Sequence, residues 1–228
     1  MGALALLDGE TLIAESRVNV AVTHGERLLA AVDTLLTGAR WRVADVDALA
    51  VAIGPGSFTG LRIGVSTVKG LAFASGKPVV AVPTLDALAW NLPYAARPVC
   101  PLLDARKGEV YMALYLTRGG RLERVTPDRA VAPEVMAQEL ARDPGGPIAF
   151  VGDGVAPHAG LLRRVLGDDA WLAPPGCRLP SAASVADLAR HQVERGETVD
   201  PALLVPRYVR PAEAELARER RQHAGHPH

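Results

Sequence analysis

Apolar residues in the first eighteen positions lack helical spacing. Ala3 to Leu7 and Thr11 to Val18 read as two extended segments around the turn Asp8-Gly9-Glu10. From about Gly25 to Thr37 the period changes. Leu28, Leu29, Val32, Leu35 and Leu36 recur on one helical face, and Gly38 is placed to end that helix. Ala48 to Ile53 is a short apolar run with little alternation, the pattern of a strand buried on both faces. A glycine-rich segment follows and feeds a helix over about Leu61 to Ser75, closed by Gly76. Val79 to Val82 is then a further strand. Strand, helix, strand in that order predicts a parallel α/β sheet.

Pro93 to Pro98 reads as a connector between two halves. Beyond it come the apolar run Val99 to Leu103, the polar turn Asp104-Ala105-Arg106-Lys107-Gly108-Glu109, and a strand over Val110 to Thr117 that Arg121 to Val125 would pair with. Helices are predicted over Pro133 to Arg142 and Ala159 to Leu166, on either side of a strand at Ile148 to Val151. Ser184 with Asp187 three residues later has the form of a capping box, opening a helix that runs to about Arg195. Ala212 to His228 is charged, poor in apolar residues and expected to fray. The predicted division is therefore a first lobe over 1–97, a second over 98–210, and a disordered tail at 211–228.

Composition narrows the function. With 228 residues the chain has room for one large domain or two small ones. Lys+Arg 25 against Asp+Glu 25 gives a formal charge of zero, so no long-range field draws in nucleic acid or an anionic membrane. Work on RNA would need a partner to supply most of the phosphate contacts. The 2 cysteines, Cys100 and Cys177, make no disulfide framework, and Cys100 in its apolar run reads as a buried reduced thiol. No charged start leads into an apolar leader, and the longest uncharged stretch, Ala48 to Leu61, is too short to span a bilayer. A cytoplasmic protein with no membrane partner is expected.

Candidate chemistry centres on Gly54-Pro55-Gly56-Ser57-Phe58-Thr59-Gly60-Leu61-Arg62. Glycines at a strand-to-helix turn let an anion approach unpaired backbone N–H groups. Yet no lysine follows Gly60 as a P-loop requires, Thr59 stands where the dinucleotide fingerprint has glycine, and Pro55 and Thr59 break a nucleophile elbow around Ser57. A tight structural turn and an anion site both remain open. In the next helix the larger polar residues, Arg62, Ser66 and Lys69, make a narrow stripe, and the rest is apolar or small. Its glycines, Gly64 and Gly70, cost about 1 kcal/mol each against alanine. Close approach of a second helix, from another subunit, would justify them; burial within the helix's own domain is the alternative. The six histidines include no His-x-x-x-His pair on a predicted helix, and no metal site is expected. Asp104, Arg106 and Glu109 cluster on one turn, either as solvated charges or as ligand-facing groups.

The block from Ala52 to Val65, with Lys69-Gly70-Leu71-Ala72, Thr23-His24-Gly25-Glu26-Arg27-Leu28-Leu29, Pro83-Thr84-Leu85-Asp86-Ala87-Leu88, Leu103 to Tyr111 and Pro206-Arg207-Tyr208-Val209-Arg210, resembles the TsaB (YeaZ) family. The resemblance extends to about Arg210. It implies an α/β fold of two ribonuclease-H-like lobes of the actin, Hsp70 and sugar-kinase type. It also implies a non-catalytic, cofactor-free scaffold in the making of threonylcarbamoyladenosine beside the tRNA anticodon. The implied partners are a TsaD-type transferase, a TsaE-type ATPase and a second copy of the chain, with tRNA met only through the complex. The partner-binding face would comprise Leu28, Leu29, Val32, Leu36, Val65, Val68, Lys69 and Phe73. TsaD-like proteins carry a metal-binding His-x-x-x-His where this chain has Thr84 and Leu88, which weakens the glycoprotease-like peptidase reading. A nucleotide-dependent phosphotransferase or hydrolase using the glycine loop and Asp104 is the alternative. Family members begin with a strand carrying an Asp-Thr pair. Here Ala3 to Glu10 aligns with their second strand, so the first lobe is expected to lack its first strand, as it would if the start had been assigned one strand and one turn too late.

Overall fold

The two extended segments pair with each other. A computed structural model of the chain describes residues 2–18, 25–142 and 146–210. In it β1 (Gly2–Asp8) and β2 (Thr11–Val18) form an antiparallel hairpin, with Gly9 at φ +54° in the turn. Next come α1 (Gly25–Gly38), β3 (Leu49–Gly54), α2 (Phe58–Ser75), β4 (Val79–Pro83) and the short α3 (Thr84–Ala89). Strands β3 and β4 pair in parallel, Leu49 opposite Val79. Helix α2 starts at Phe58, three residues before its apolar pattern begins, because Ser57 caps it and accepts from the Gly60 N–H at 3.4 Å. Gly76 ends it in the left-handed conformation, φ +68°.

The hairpin β1–β2 and the pair β3–β4 are separate two-stranded sheets, yet they share their helices. Helix α6 (Ala182–Glu194) lies against all four strands, α1 against β1 and β2, α2 against β3, and α1 touches α2. Side chains of β4 alternate accordingly: Val79 joins Val51, Val65 and Ala72 toward α2, and Val80 and Val82 join Ala189 of α6. The strand layer between these helices is interrupted between β1 and β3. Five consecutive apolar residues of β1, Ala3 to Leu7, are only half-buried.

The second lobe is built on β5 (Val99–Asp104), whose Val99 to Leu103 are all buried. On one side β10 (Ile148–Val151) pairs with it in parallel and carries the outer strand β11 (Ala170–Leu172). On the other, both β6 (Val110–Met112) and β7 (Tyr115–Arg118) pair with it antiparallel; β9 (Arg129–Val131) extends β6 and β8 (Arg121–Arg124) extends β7. The single strand expected over Val110 to Thr117 is thus broken in two. Leu114 donates its N–H to Thr126 Oγ1 at 2.8 Å and accepts from the Val125 N–H at 2.7 Å, and these bonds occupy its backbone between the two stretches that pair with β5. Helices α4 (Pro133–Arg142) and α5 (Val155–Leu166) cover one face with Met136 and Leu162 against Cys100, Leu102, Met112 and Phe150. Helix α5 begins four residues earlier than expected. Gly152, at φ +122°, brings the turn so close to β5 that a Cβ there would lie 2.0 Å from the Leu102 carbonyl oxygen.

The chain then returns to the first four strands, on which α6 and the residues after it pack. Helix α6 opens at Ala182 with Ser181 as its cap, so the predicted Ser184–Asp187 box does not form. Glu15 of β2 completes that cap, accepting from Ser181 Oγ at 2.8 Å and from the Ala182 N–H at 3.0 Å. Asp187 instead accepts from Trp90 Nε1 at 2.8 Å and pairs with Arg190. The tail predicted at 211–228 and the histidine at position 24 lie outside the described residues.

Cys100 is fully buried beneath α4 and α5, and burial pushes its thiol well above the ordinary range; Cys177 is partly exposed. A chromogenic thiol reagent at mildly alkaline pH should therefore titrate Cys177 in the native chain and Cys100 only after denaturation. Two fast-reacting native thiols would show that the second core is not closed over β5.

Candidate functional site: the glycine loop and the helix face beside it

Gly54 closes β3 at φ +124°, with a cis peptide bond to Pro55, and its N–H donates to Thr84 Oγ1 at 3.1 Å. A Cβ on Gly54 would sit 2.3 Å from the backbone oxygen of Arg207, whose own N–H donates to the Ile53 carbonyl at 2.7 Å. The backbone that glycine admits is therefore the chain's own. Gly56 and Gly60 are less confined; the nearest atoms to an added Cβ are 4.0 Å away on Leu61 and 3.5 Å away on Ser57. Around this contact residues 199–210 form a strap. The Val199 N–H donates to the Val79 carbonyl at 2.8 Å, and Leu204 is buried among Val51, Val65 and Ala72. Lys69 Nζ donates to the carbonyls of Ala202 and Leu204 at 3.0 and 3.2 Å. Tyr208 stacks on Phe58 with ring centroids 5.1 Å apart; Arg62 lies over the same Phe58 ring and donates to the Tyr208 hydroxyl at 3.3 Å. Of the polar stripe on α2, Arg62 and Lys69 thus hold the strap. Of the two readings left open for the loop, the geometry favours a structural turn, and Ser57 Oγ is used as the helix cap.

The strap also reaches the second lobe. Arg207 lies 3.6 Å from Asp128, and Arg210 pairs with Glu109. Asp128, its side chain only 1% exposed, pairs with Arg124, which also pairs with Asp86 of α3. Asp86 accepts from the Tyr115 hydroxyl at 2.7 Å. Burial raises the Asp128 carboxyl above its ordinary range, against the pull of Arg124 and Arg207; burial, with Asp86 beside it, raises the Tyr115 phenol. Removing one partner from a buried ionic cluster of this kind costs about 3–5 kcal/mol, because an uncompensated charge is left behind. The turn at Asp104 serves the same junction. Asp104 pairs with Arg106 at 3.4 Å, its N–H donates to Asp153 Oδ1 at 3.0 Å, and Glu109 anchors Arg210.

The expected partner-binding residues separate into groups. Leu36 and Val65 are buried in the first lobe, Val68 is half-buried beside the same core, and Lys69 is committed to the strap. Leu28 and Val32 are half-buried. Leu29 on α1 and Phe73 on α2 stand out at 47% and 64% exposed. Gly64 faces β3, where an added Cβ would lie 3.7 Å from the Val51 side chain, whereas one on Gly70 would meet nothing within 4 Å. With Ser66, Phe73 and Ala74, Gly70 forms an exposed side of α2, which packs beside α1. Thr84 is buried as the acceptor for Gly54, and Leu88 is buried against the second lobe. Among the described residues no group of three His, Cys, Asp or Glu side chains is gathered as a metal would need, and no helix is long and apolar enough to cross a membrane. The strap and the Asp86–Arg124–Asp128 cluster escaped the sequence reading. The one local signal for them was Pro206-Arg207-Tyr208-Val209-Arg210, charged and aromatic residues just after an apolar pair.

The family model described as TsaD, tRNA N6-adenosine threonylcarbamoyltransferase, matches residues 18–218. The tRNA threonylcarbamoyladenosine biosynthesis protein TsaB of Bacillus subtilis is 35% identical over 93% of this chain and 90% of its own length. The Escherichia coli protein of the same name is 33% identical over 82% and 80%. YeaZ from Pseudomonas aeruginosa superposes with a TM-score of 0.74 at 31% identity, covering 90% of this chain and 93% of that one.

Gly54→Ala meets both a disfavoured φ and the Arg207 oxygen, and should cost about 3 kcal/mol. Thermal unfolding should register this as a fall in Tm of roughly 6–12 °C. Gly56→Ala, which meets only ordinary contacts, should move Tm far less. Equal stability of the two variants would mean that the strap does not rest on Gly54.

Proposed function

The chain belongs to the TsaB (YeaZ) family, and from that premise we propose that it is the TsaB subunit of tRNA threonylcarbamoyladenosine biosynthesis, a cytoplasmic scaffold with no catalytic residue of its own. It docks a TsaD-type transferase through the face of α1 and α2. A TsaE-type ATPase completes the assembly, and tRNA is modified only within it. The observation that carries this reading is the exposed pair Leu29 and Phe73 beside the open Gly70. An exposed phenylalanine forgoes about 1.5–3 kcal/mol of burial, and a small residue next to it lets a second helix come close. Two helices from each partner make a four-helix contact of about 1,200–2,000 Å² in total. Self-association uses the same face, so the homodimer and the TsaD complex exclude each other.

The strap supports a scaffold over the phosphotransferase alternative, since Arg207 and the Phe58–Tyr208 stack lie where a phosphate would approach the glycine loop. The fold is read as two ribonuclease-H-like lobes of the actin, Hsp70 and sugar-kinase type, the first short of one strand between β1 and β3. In support, β1–β2 and β3–β4 share helix layers without pairing to each other, and the apolar run of β1 is left half-buried. A strand in that gap would satisfy both facing edges.

Light scattering on a sizing column should give a homodimer that converts to a mixed complex when the TsaD-type paralogue is added. Phe73→Glu and Leu29→Glu should abolish both states while the monomer keeps its far-ultraviolet circular dichroism, because both side chains are exposed. Gly70→Ala should stabilise the isolated chain by up to about 1 kcal/mol while weakening both associations. Loss of one association with the other intact would refute the shared face, and ATP turnover by the isolated chain would favour the phosphotransferase.

A further inference from the structure

Among the described residues, strand β11 forms the outer edge of the seven-stranded sheet, pairing only with β10. Its flanking residues Ala170 and Leu172 pack toward the core of Cys100 and Phe150. The middle residue, Trp171, points the other way and is 51% exposed. The Arg97 guanidinium lies 3.6 Å from the centroid of its ring, a cation–π contact that occupies one face of the indole. The exposed remainder borders an open pocket of about 450 Å³ lined by Arg163, Gly167, Asp168, Ala170, Trp171 and Leu172. Arg163 and Arg164 form the basic end of α5. Among the described residues, none of Arg97, Arg163 and Arg164 has a carboxylate partner. Three residues before Arg97, in the connector between the lobes, Tyr94 is 89% exposed. Nothing in the docking face or the strap uses this surface.

We propose that Trp171, Arg97 and Arg163 form a contact for single-stranded RNA. An unpaired base stacks on the indole, extending the Arg97–Trp171 stack. Arg163 and Arg164 meet the flanking phosphates, and the Asp168 carboxylate accepts from an exocyclic amino group of the base. A flat aromatic ring with one guanidinium on its face and a second, without a carboxylate partner, lining the same pocket asks for a ligand that alternates π-faces with negative charge, and a single-stranded nucleic acid is that ligand. The shallowness of the pocket favours a strand over a free mononucleotide. A mononucleotide binds through enclosure, whereas a strand gains from successive stacks and phosphates, and Tyr94 offers a further ring. Zero net charge removes steering from a distance but not attraction at contact, so the salt dependence should be shallow, with a slope of about −0.7 for each phosphate engaged. The choice of RNA rests on the reading of the chain as part of a tRNA-modifying assembly; the stacking chemistry rests on the geometry.

The test is fluorescence anisotropy of a short fluorescein-labelled oligoadenylate titrated with the full chain. The intact chain should bind saturably and partly quench its tryptophan emission. Trp171→Ala should weaken binding about tenfold or more, and Trp171→Phe, which keeps a ring to stack on, should retain most of it. Arg163→Glu should both weaken binding and flatten the salt slope, and Phe73→Glu should leave it unchanged. Absence of saturable binding by the intact chain, or Trp171→Ala binding as tightly as the parent, would overturn the proposal. So would AMP competing as well per molecule as the oligonucleotide, which would mark a mononucleotide pocket. Arg163→Glu alters an exposed side chain and Arg97→Ala a half-buried one outside the core, and both keep the test decisive should Trp171→Ala unfold. Docking of the same variants to the TsaD-type paralogue separates the outcomes. Lost RNA contact with intact docking concerns this patch alone, whereas lost docking with intact RNA binding strikes the family reading.

Discussion

The Arg207 carbonyl rests in the space that a side chain at position 54 would fill, and much of the molecule is arranged around that contact. It requires glycine at the end of β3. It also brings Tyr208 onto Phe58, and Arg207 and Arg210 within reach of Asp128 and Glu109. One close backbone approach thereby ties a strand end, a helix start and the second lobe together. The glycine-rich loop looks like a ligand cradle because cradling a backbone and cradling a phosphate pose the same steric problem. The occupant here is polypeptide.

What was legible in the sequence follows from range. The α1 and α2 helices, the parallel β3–β4 pair and the buried β5 are written in local periodicity, and so is the thiol of Cys100 buried in its apolar run. Strands β9 and β11, at three residues each, are too short to carry a period. The break at Leu114 depends on Thr126, and the cap of α6 on Glu15, neither of which lies near its partner in the chain. A capping box read from Ser184 and Asp187 was the wrong local solution, because Trp90 claims Asp187 and Ser181 claims the cap.

The α2 helix shows how a helix apolar nearly all round can be only partly explained by its own fold. Val65 and Ala72 are in the core, Gly64 sits on β3, and Lys69 and Arg62 turn to the strap. What remains outward is Ser66, Gly70, Phe73 and Ala74, a surface of little charge and low relief. The Trp171 surface is of the other kind, one ring with the Arg97 guanidinium over it and Arg163 and Asp168 lining the pocket beside it. The two surfaces therefore differ in chemistry as well as place: one is apolar and lined by small residues, the other sets an indole among charged side chains.

Because α6 and the strap belong to the lobe begun by β1, the first lobe is a discontinuous unit. Its sheets are made early in synthesis, but the helix that covers both of them and the residues that seal the glycine turn are made only after all of β5 to β11. The second lobe, contiguous in sequence, can form on the ribosome while the first still exposes Val80, Val82 and its open strand edges. A fold completed strictly from the N-terminus would leave those faces without their covering helix. The sheet of β3 and β4 therefore gains its last contacts from residues far along the chain, α6 on one face and Leu204 of the strap on the other.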